Sequence, residues 1–272
     1  MSIAEIVQIL TKSGIEQNEA VKEVKMLIEH YCNYTAKDII MGRPLDYEKL
    51  KTVKQKAEYR ARTKQPIQYI IGKAYFMGNF YIVNPDVLIP RDETEIVVRH
   101  AIDIIDKNGL KTVLDIGTGT GCIACSISEN TKCTVTASDI SAKALATAKT
   151  NAKNLHQNIK FIESDLFDNI SDEKFDLIIS NPPYIPQGTN VQKEVEFEPK
   201  TALFTSEETG TEYYKKIITD GKKHLTEGGH IVFELGINQS ETVKGYFEQN
   251  GYKDITIQKD LAGIDRVISA KI

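Results

Sequence analysis

The feature that most constrains this chain is a series of short apolar runs, KTVLDI, CTVTASD, IKFIES, FDLIIS and HIVFELG, bounded by turn residues and mostly separated by helical patterns. Runs that are apolar along most of their length, with little polar alternation, suit strands buried on both faces. Alternating with helices, they predict an α/β fold whose mostly parallel, doubly wound sheet is covered on both sides. The end of the chain departs from this pattern. KDITIQ and DRVISAKI are separated by a short polar loop only, which suits an antiparallel pair with a reversed last strand.

At 272 residues the chain is long for one domain and comfortable for two. From Ser2 to about Gly72 apolar residues recur at helical spacing, as in Ile3, Ile6, Val7 and Leu10, then Val21, Val24, Leu27 and Ile28. Gly14, Gly42 with Pro44, and Pro66 cut this stretch into short helices, so residues 1–72 are expected to form a small all-helical domain. Residues 73–90 turn aromatic and β-branched around Gly78-Asn79 and Asn84-Pro85, which predicts a β-hairpin linker. The α/β domain then occupies 91–272. Lys51, Lys54, Lys56, Arg60 and Arg62 make a basic stretch whose default reading is a solvated helix face, with a partner-docking surface as the alternative.

Composition closes off several classes of function. With 26% charged and 41% hydrophobic residues and no apolar run long enough to cross a bilayer, the chain reads as an ordinary soluble protein without membrane attachment. Its start, MSIAEIVQILTKSG, is an amphipathic helix with charges inside it and not a secretory signal, so a cytoplasmic location is expected. Cys32, Cys122, Cys125 and Cys133 are too few for a disulfide framework, and one C-x-x-C with neither a second pair nor a histidine pair argues for buried thiols over metal. The net charge of −4 argues against stable nucleic-acid binding, which calls for a basic face.

The segment Val113-Leu114-Asp115-Ile116-Gly117-Thr118-Gly119-Thr120-Gly121 ends a strand and opens a helix, so its glycines let a ligand approach the backbone at a helix N-terminus. A dinucleotide fingerprint fails here, because Cys122 stands where the third glycine should be. The Asp115 carboxylate would repel a pyrophosphate and suit an ammonium group, which favours S-adenosylmethionine as cofactor. Asp139 ends the next strand, where it can accept both ribose hydroxyls or simply start a helix. After the third strand, Asp165 is placed to reach an adenine amine and Leu166 to cover the ring.

The fourth strand runs directly into Asn181-Pro182-Pro183-Tyr184. An amide or aromatic amino nitrogen is a poor nucleophile because its lone pair is delocalised, so an enzyme must orient it by accepting its N–H hydrogens. Asn181 offers a side-chain oxygen and Pro182 a backbone carbonyl. Two prolines hold the turn rigid, and Tyr184 can lie flat against a planar target. The arrangement predicts methyl transfer to a planar amino group through orientation and hydrogen bonding. It does not distinguish DNA adenine, RNA or protein glutamine as the target. A sensor or scaffold that binds the cofactor without turnover is a further reading, disfavoured by the intact Asn181 motif.

Three further segments narrow the choice. Arg62-Thr63-Lys64-Gln65-Pro66-Ile67-Gln68-Tyr69-Ile70-Ile71-Gly72, then Phe76-Met77-Gly78, then Leu88-Ile89-Pro90-Arg91-Asp92-Glu93-Thr94-Glu95 resemble the linker signature of the release-factor glutamine methyltransferase family. The resemblance extends to Asn181–Tyr184 and Phe197-Glu198-Pro199 and covers essentially the whole chain. It implies a Rossmann-like class I methyltransferase fold and, as substrate, the Gly-Gly-Gln loop of class I peptide chain release factors. Gly117 to Gly121, Asp139, Leu166 and Asn181 would bind the cofactor, and Asn181 to Tyr184 the glutamine. Asp92 departs from the family, which commonly has proline there, and bears on the entry into the following helix. The runner-up is an adenine methyltransferase acting on DNA or RNA.

Overall fold

A computed structural model describes residues 2–272; Met1 and the side chains of Ala36 and Ile39 lie outside the described residues. The chain divides into two compact units, Met1–Gly72 with Gln192–Phe197, and Lys73–Val191 with Glu198–Ile272.

The first unit contains helices α1 (Ile3–Lys12), α2 (Gln17–Cys32), α3 (Ala36–Ile40), α4 (Tyr47–Thr63) and α5 (Ile67–Ile71). Local capping sets the starts of the longer ones. Ser2 accepts the Glu5 N–H at α1, Glu16 the Asn18 and Glu19 N–H groups at α2, and Asp46 the Glu48 and Lys49 N–H groups at α4. The apolar positions at helical spacing converge on a core that includes Ile6, Leu10, Val24, Leu27, Val53 and Ile67. The basic stretch on α4 departs from the expected solvated face at Arg60. This residue is only 4% exposed; its guanidinium donates to Glu23 on α2 at 2.9 Å and to Glu194 at 3.2 Å. Arg60 thus brings the segment Gln192–Phe197 into the helical unit.

In the second unit, β1 (Lys73–Phe76) and β2 (Asn79–Ile82) form the expected hairpin, with Met77-Gly78 as its two-residue turn. The buried Asn151 side chain holds the free edge of β2, accepting from the Ile82 N–H at 2.8 Å and donating to the Ile82 carbonyl at 3.0 Å. The α/β part follows as α6 (Asp92–Asn108), β3 (Thr112–Ile116), α7 (Cys122–Asn130), β4 (Thr134–Asp139), α8 (Ala142–Asn154), β5 (Ile159–Glu163) and β6 (Phe175–Ser180). It continues with β7 (Ile185–Pro186), β8 (Phe204–Thr205), α9 (Glu212–Gly221), β9 (Leu225–Glu234), α10 (Ser240–Gln249), β10 (Lys253–Lys259) and β11 (Asp265–Lys271).

Seven strands form one sheet in the order β10-β11-β9-β6-β3-β4-β5. The pairs from β5 through β9 are parallel, and β11 is antiparallel to both β9 and β10. Two apolar cores include Val97, Ile127 and Leu177 in one and Ile178, Ile217, Phe233 and Phe247 in the other. Successive residues Leu177 and Ile178 belong to different cores, as expected of a strand buried on both faces. Among the described residues no helix is long and apolar enough to cross a membrane.

At the entry to α6, Asp92 is the first helical residue and joins Glu93 and Glu95 in an acidic first turn. Proline suits that position by its fixed φ and an aspartate by its charge near the helix N-terminus, so either residue preserves the start.

Removing Arg60 would leave Glu23 buried without its charge partner. Arg60→Ala should cost about 3–5 kcal/mol of stability in urea unfolding, whereas replacing both Arg60 and Glu23 by apolar residues of similar volume should cost far less. Equal losses in the two proteins would show that the ion pair itself, and not the stranded carboxylate, dominates.

Candidate active site

The C-terminal ends of β3, β4, β5 and β6 converge on one cavity of about 430 Å³, lined among others by Gly117, Gly119, Asp139, Leu166 and Asn181. Openings of this kind lie where strand ends in a parallel sheet splay toward different helices. The volume falls in the range of small-molecule sites.

The glycine-rich loop is fixed from below. Gly117 and Thr118 donate backbone N–H groups to the Ser138 carbonyl, both at 2.9 Å, and the Thr118 hydroxyl donates to Asp115 Oδ2 at 2.6 Å. Gly117 and Gly119 have φ of +72° and +55°, and a Cβ on either would project into open space. This is the left-handed region that glycine enters at least cost, so both the conformation and the bare upper surface of the loop depend on it. At Gly121, with φ +80°, an added Cβ would come within 3.1 Å of the Ala148 Cβ, so α8 packs against the loop as closely as it does because no side chain intervenes.

Asp139 serves the fold and faces the cavity together. Its Oδ2 accepts from the Gly119 N–H at 2.8 Å and its Oδ1 from the Ser141 N–H at 2.9 Å, while Ser141 caps α8. Each oxygen keeps a further lone pair for a ligand hydroxyl. Burial raises its pKa, against the pull of these backbone donors. Asp86 and Asp165 join it among the lining residues, where Lys200 is the cationic side chain. This balance suits a ligand with positive charge and disfavours a pyrophosphate. The residues present therefore fit S-adenosylmethionine.

Pro182 and Pro183 also line the cavity. Asp115, Thr118, Thr120, Gly121 and Tyr184 are not among the lining residues. Asp115 is completely buried beneath the loop, so it bears on a ligand through the loop's shape and its own charge. Its Oδ1 is buried without a hydrogen-bond partner among the described residues. Burial pushes the Asp115 pKa up to about 7. Thr120 is held by its carbonyl, which accepts from Asn151 at 2.9 Å. Tyr184 packs against the β9 side of the core, and its hydroxyl donates to Glu234 Oε1 at 3.4 Å.

Asn181 follows β6 without an intervening residue, and its Nδ2 donates to Thr94 Oγ1 on α6 at 3.3 Å. The Thr94 hydroxyl in turn donates to Glu234 Oε2 at 2.5 Å. Glu234 is fully buried at the end of β9, and burial pushes its pKa up to about 7. Sequence reasoning passed over Thr94 and Glu234. A lone acid closing the apolar run HIVFEL is a costly placement and so a readable signal, whereas Thr94 lies within the linker signature Leu88–Glu95 but carried no role of its own there.

A family model described as a methyltransferase small domain matches residues 92–198. The release factor glutamine methyltransferase of Geobacter sulfurreducens is 38% identical over 234 residues, an alignment covering 85% of this chain and 81% of that protein. That of Neisseria gonorrhoeae is 36% identical over 259 residues, covering 92% of each. Among solved structures, a methyltransferase from Pyrococcus furiosus superposes with a TM-score of 0.54 at 18% identity, covering 81% of this chain and 98% of that one. At that identity the likeness is one of fold.

Two buried acids with raised pKa values have a consequence for stability. Asp115 and Glu234 move from ordinary values of 3.8 and 4.5 to about 7, so the folded protein holds protons that the unfolded chain has released. Their stabilising contribution is complete below about pH 4 and is lost as pH rises to about 7, each group giving up roughly 1.4 kcal/mol per pH unit across that interval. Urea unfolding of the ligand-free protein across that window should show the wild type losing stability relative to Asp115→Asn as pH rises. Parallel curves for the two proteins would mean that Asp115 titrates normally.

Proposed function

The chain belongs to the release factor glutamine methyltransferase family, and from that premise we propose that it methylates the side-chain amide nitrogen of the glutamine in the Gly-Gly-Gln loop of class I peptide chain release factors. S-adenosylmethionine is the cofactor and, when bound, supplies an activated methyl group. The observation that carries the reading is the state of Asn181. Its amide N–H is committed to Thr94, which leaves the side-chain oxygen as an acceptor in the wall of the cavity that the glycine-rich loop also lines.

The chain's own residues have three tasks. Gly117, Gly119 and Asp139 bind the cofactor, with Thr118, Thr120 and Gly121 shaping the loop from behind and Asp165 and Leu166 on the adenine side. Asn181 Oδ1 and the Pro182 carbonyl accept the two amide hydrogens of the target glutamine, so the nitrogen lone pair turns out of conjugation with its carbonyl. Pro182 and Pro183 keep those acceptors fixed, which lowers the entropic cost of orientation. Tyr184 steadies the turn through Glu234 from behind the cavity wall, so the expected stacking of its ring on the planar group is not part of this arrangement.

A protein target also fits the charge. The chain carries −4 overall, and the cavity wall has more carboxylates than cations, which suits a nucleic-acid backbone poorly. Adenine in DNA or RNA is thereby the weaker reading, and no stable nucleic-acid binding is expected. The helical unit, residues 1–72, is assigned to docking the release factor, the hairpin segment 73–90 to the linker and 91–272 to catalysis. The site of action is the cytoplasm, where release factors work.

The test is transfer of labelled methyl from S-adenosylmethionine to purified release factor, with DNA and RNA in parallel and a release factor whose loop glutamine is alanine. Label should enter the intact release factor alone. Asn181→Ala should lower the single-turnover rate by about a hundredfold or more, the loss that follows removal of one preorganised polar partner from a transition state. Label in nucleic acid, or in the glutamine-less factor, would reject the assignment.

A further inference from the structure

An asparagine amide has a donor end and an acceptor end, and the two differ little in shape. The assigned chemistry needs the acceptor end turned toward the cavity. Asn181 is held to the protein on one side by Thr94 Oγ1, at 3.3 Å, and a hydroxyl can meet either end of an amide, donating to the oxygen or accepting from the nitrogen. The choice is made one residue further back. Thr94 has a single hydroxyl hydrogen, and Glu234 Oε2 lies 2.5 Å from Thr94 Oγ1. An ionised carboxylate has no hydrogen to give, so Thr94 must donate to it. Only lone pairs then remain for Asn181, which must present its NH2 to Thr94 and its oxygen away from it.

We propose that Glu234, acting through the Thr94 hydroxyl, is the positioning residue that sets which end of the Asn181 amide faces the target nitrogen. The inference rests on the assignment of Asn181 as an acceptor for the glutamine amide. Glu234 does not line the cavity, its carboxylate bonds to Thr94 and Tyr184, and Thr94 is also absent from the cavity lining. Both are buried, at 1% and 3% exposure, so water does not compete for the relay. The second carboxylate oxygen, Oε1, accepts from the Tyr184 hydroxyl at 3.4 Å, and the Glu234 carbonyl accepts from the Tyr214 hydroxyl at 2.9 Å. The carboxylate is therefore anchored at the end of β9 and reaches both ends of the Asn181–Tyr184 turn.

The relay has one polarity only while Glu234 is ionised. A protonated Glu234 can donate to Thr94, which frees the Thr94 hydrogen for Asn181 Oδ1 and lets the amide turn over. Burial is the main influence raising its pKa. The Thr94 hydrogen bond and the Arg266 guanidinium on β11 oppose it, and Glu93 on α6 adds to it. The other titratable groups facing it are the Tyr184 and Tyr214 hydroxyls and the Cys122 thiol of α7, all pushed upward and so neutral across the working range.

The test uses full-length enzyme, S-adenosylmethionine and release factor, with folding checked by circular dichroism and cofactor affinity by calorimetry. Thr94→Val should lower kcat by about tenfold or more while KM for release factor and Kd for the cofactor stay within about twofold, because orientation is lost and binding surface is not. Thr94→Ser, which restores the hydroxyl, should recover most of the rate. The wild-type kcat should fall on the acid side of about pH 7, and Glu234→Gln, which always has an N–H to donate, should be slow and flat over the same range. Wild-type kcat in Thr94→Val, or an unchanged acid limb in Glu234→Gln, would overturn the relay. Failure of the wild type to methylate release factor would instead reject the function on which it rests.

Discussion

The site depends on the parallel pairing of β3 with β6, in which Ile116 stands opposite Ser180. Neighbouring strands in a sheet lie about 4.8 Å apart. In this register the next residue of each chain leaves the same edge, Gly117 into the glycine-rich loop and Asn181 into the proline turn. The Ser180 hydroxyl donates to the Ile116 carbonyl at 2.7 Å, a buried bond that fastens the two exits together. A parallel pair cannot slip by one residue without turning its apolar side chains out of their cores. The distance between glycine-rich loop and proline turn is thus fixed by core packing and not by the loops themselves.

Much of this was legible in the sequence because it is local or periodic. The continuous apolar runs identified the parallel strands, the missing third glycine at Cys122 separated the loop from a dinucleotide site, and the short gap before DRVISAKI announced the reversed β11. Asp139 was readable as a ligand or as a helix-start acid; its two oxygens hold the Gly119 and Ser141 N–H groups while the residue lines the cavity, so the helix-start role does not exclude the ligand role. What was not legible arises from contacts distant in sequence. Arg60 looked like one charge in a solvated row, and its burial depends on Glu23 and Glu194, the latter 134 residues away. The hairpin read as a plain connector, yet Asn151 ties its edge to the cofactor loop through the Ile82 and Thr120 backbone groups.

Buried carboxylates recur at this centre with separate roles. Asp115 lies under the loop and has one oxygen unpaired; Glu234 lies behind the acceptor turn and has both oxygens engaged. Each carries a desolvation cost that an apolar residue would avoid. Their value is directional when they are ionised, since a carboxylate then only accepts hydrogen bonds and so dictates which way each neighbouring hydroxyl points. In an interior without competing water such a constraint propagates through Thr118 to the loop and through Thr94 to Asn181.

On the proposed assignment, this geometry activates one kind of nitrogen, an amide held between two acceptors. Tandem mass spectrometry of release factor after reaction with the enzyme and S-adenosylmethionine tests it most directly. A single added methyl group on the side-chain nitrogen of the Gly-Gly-Gln glutamine is the predicted result. A methyl group on any other residue, or an unmodified loop after complete reaction conditions, would contradict it.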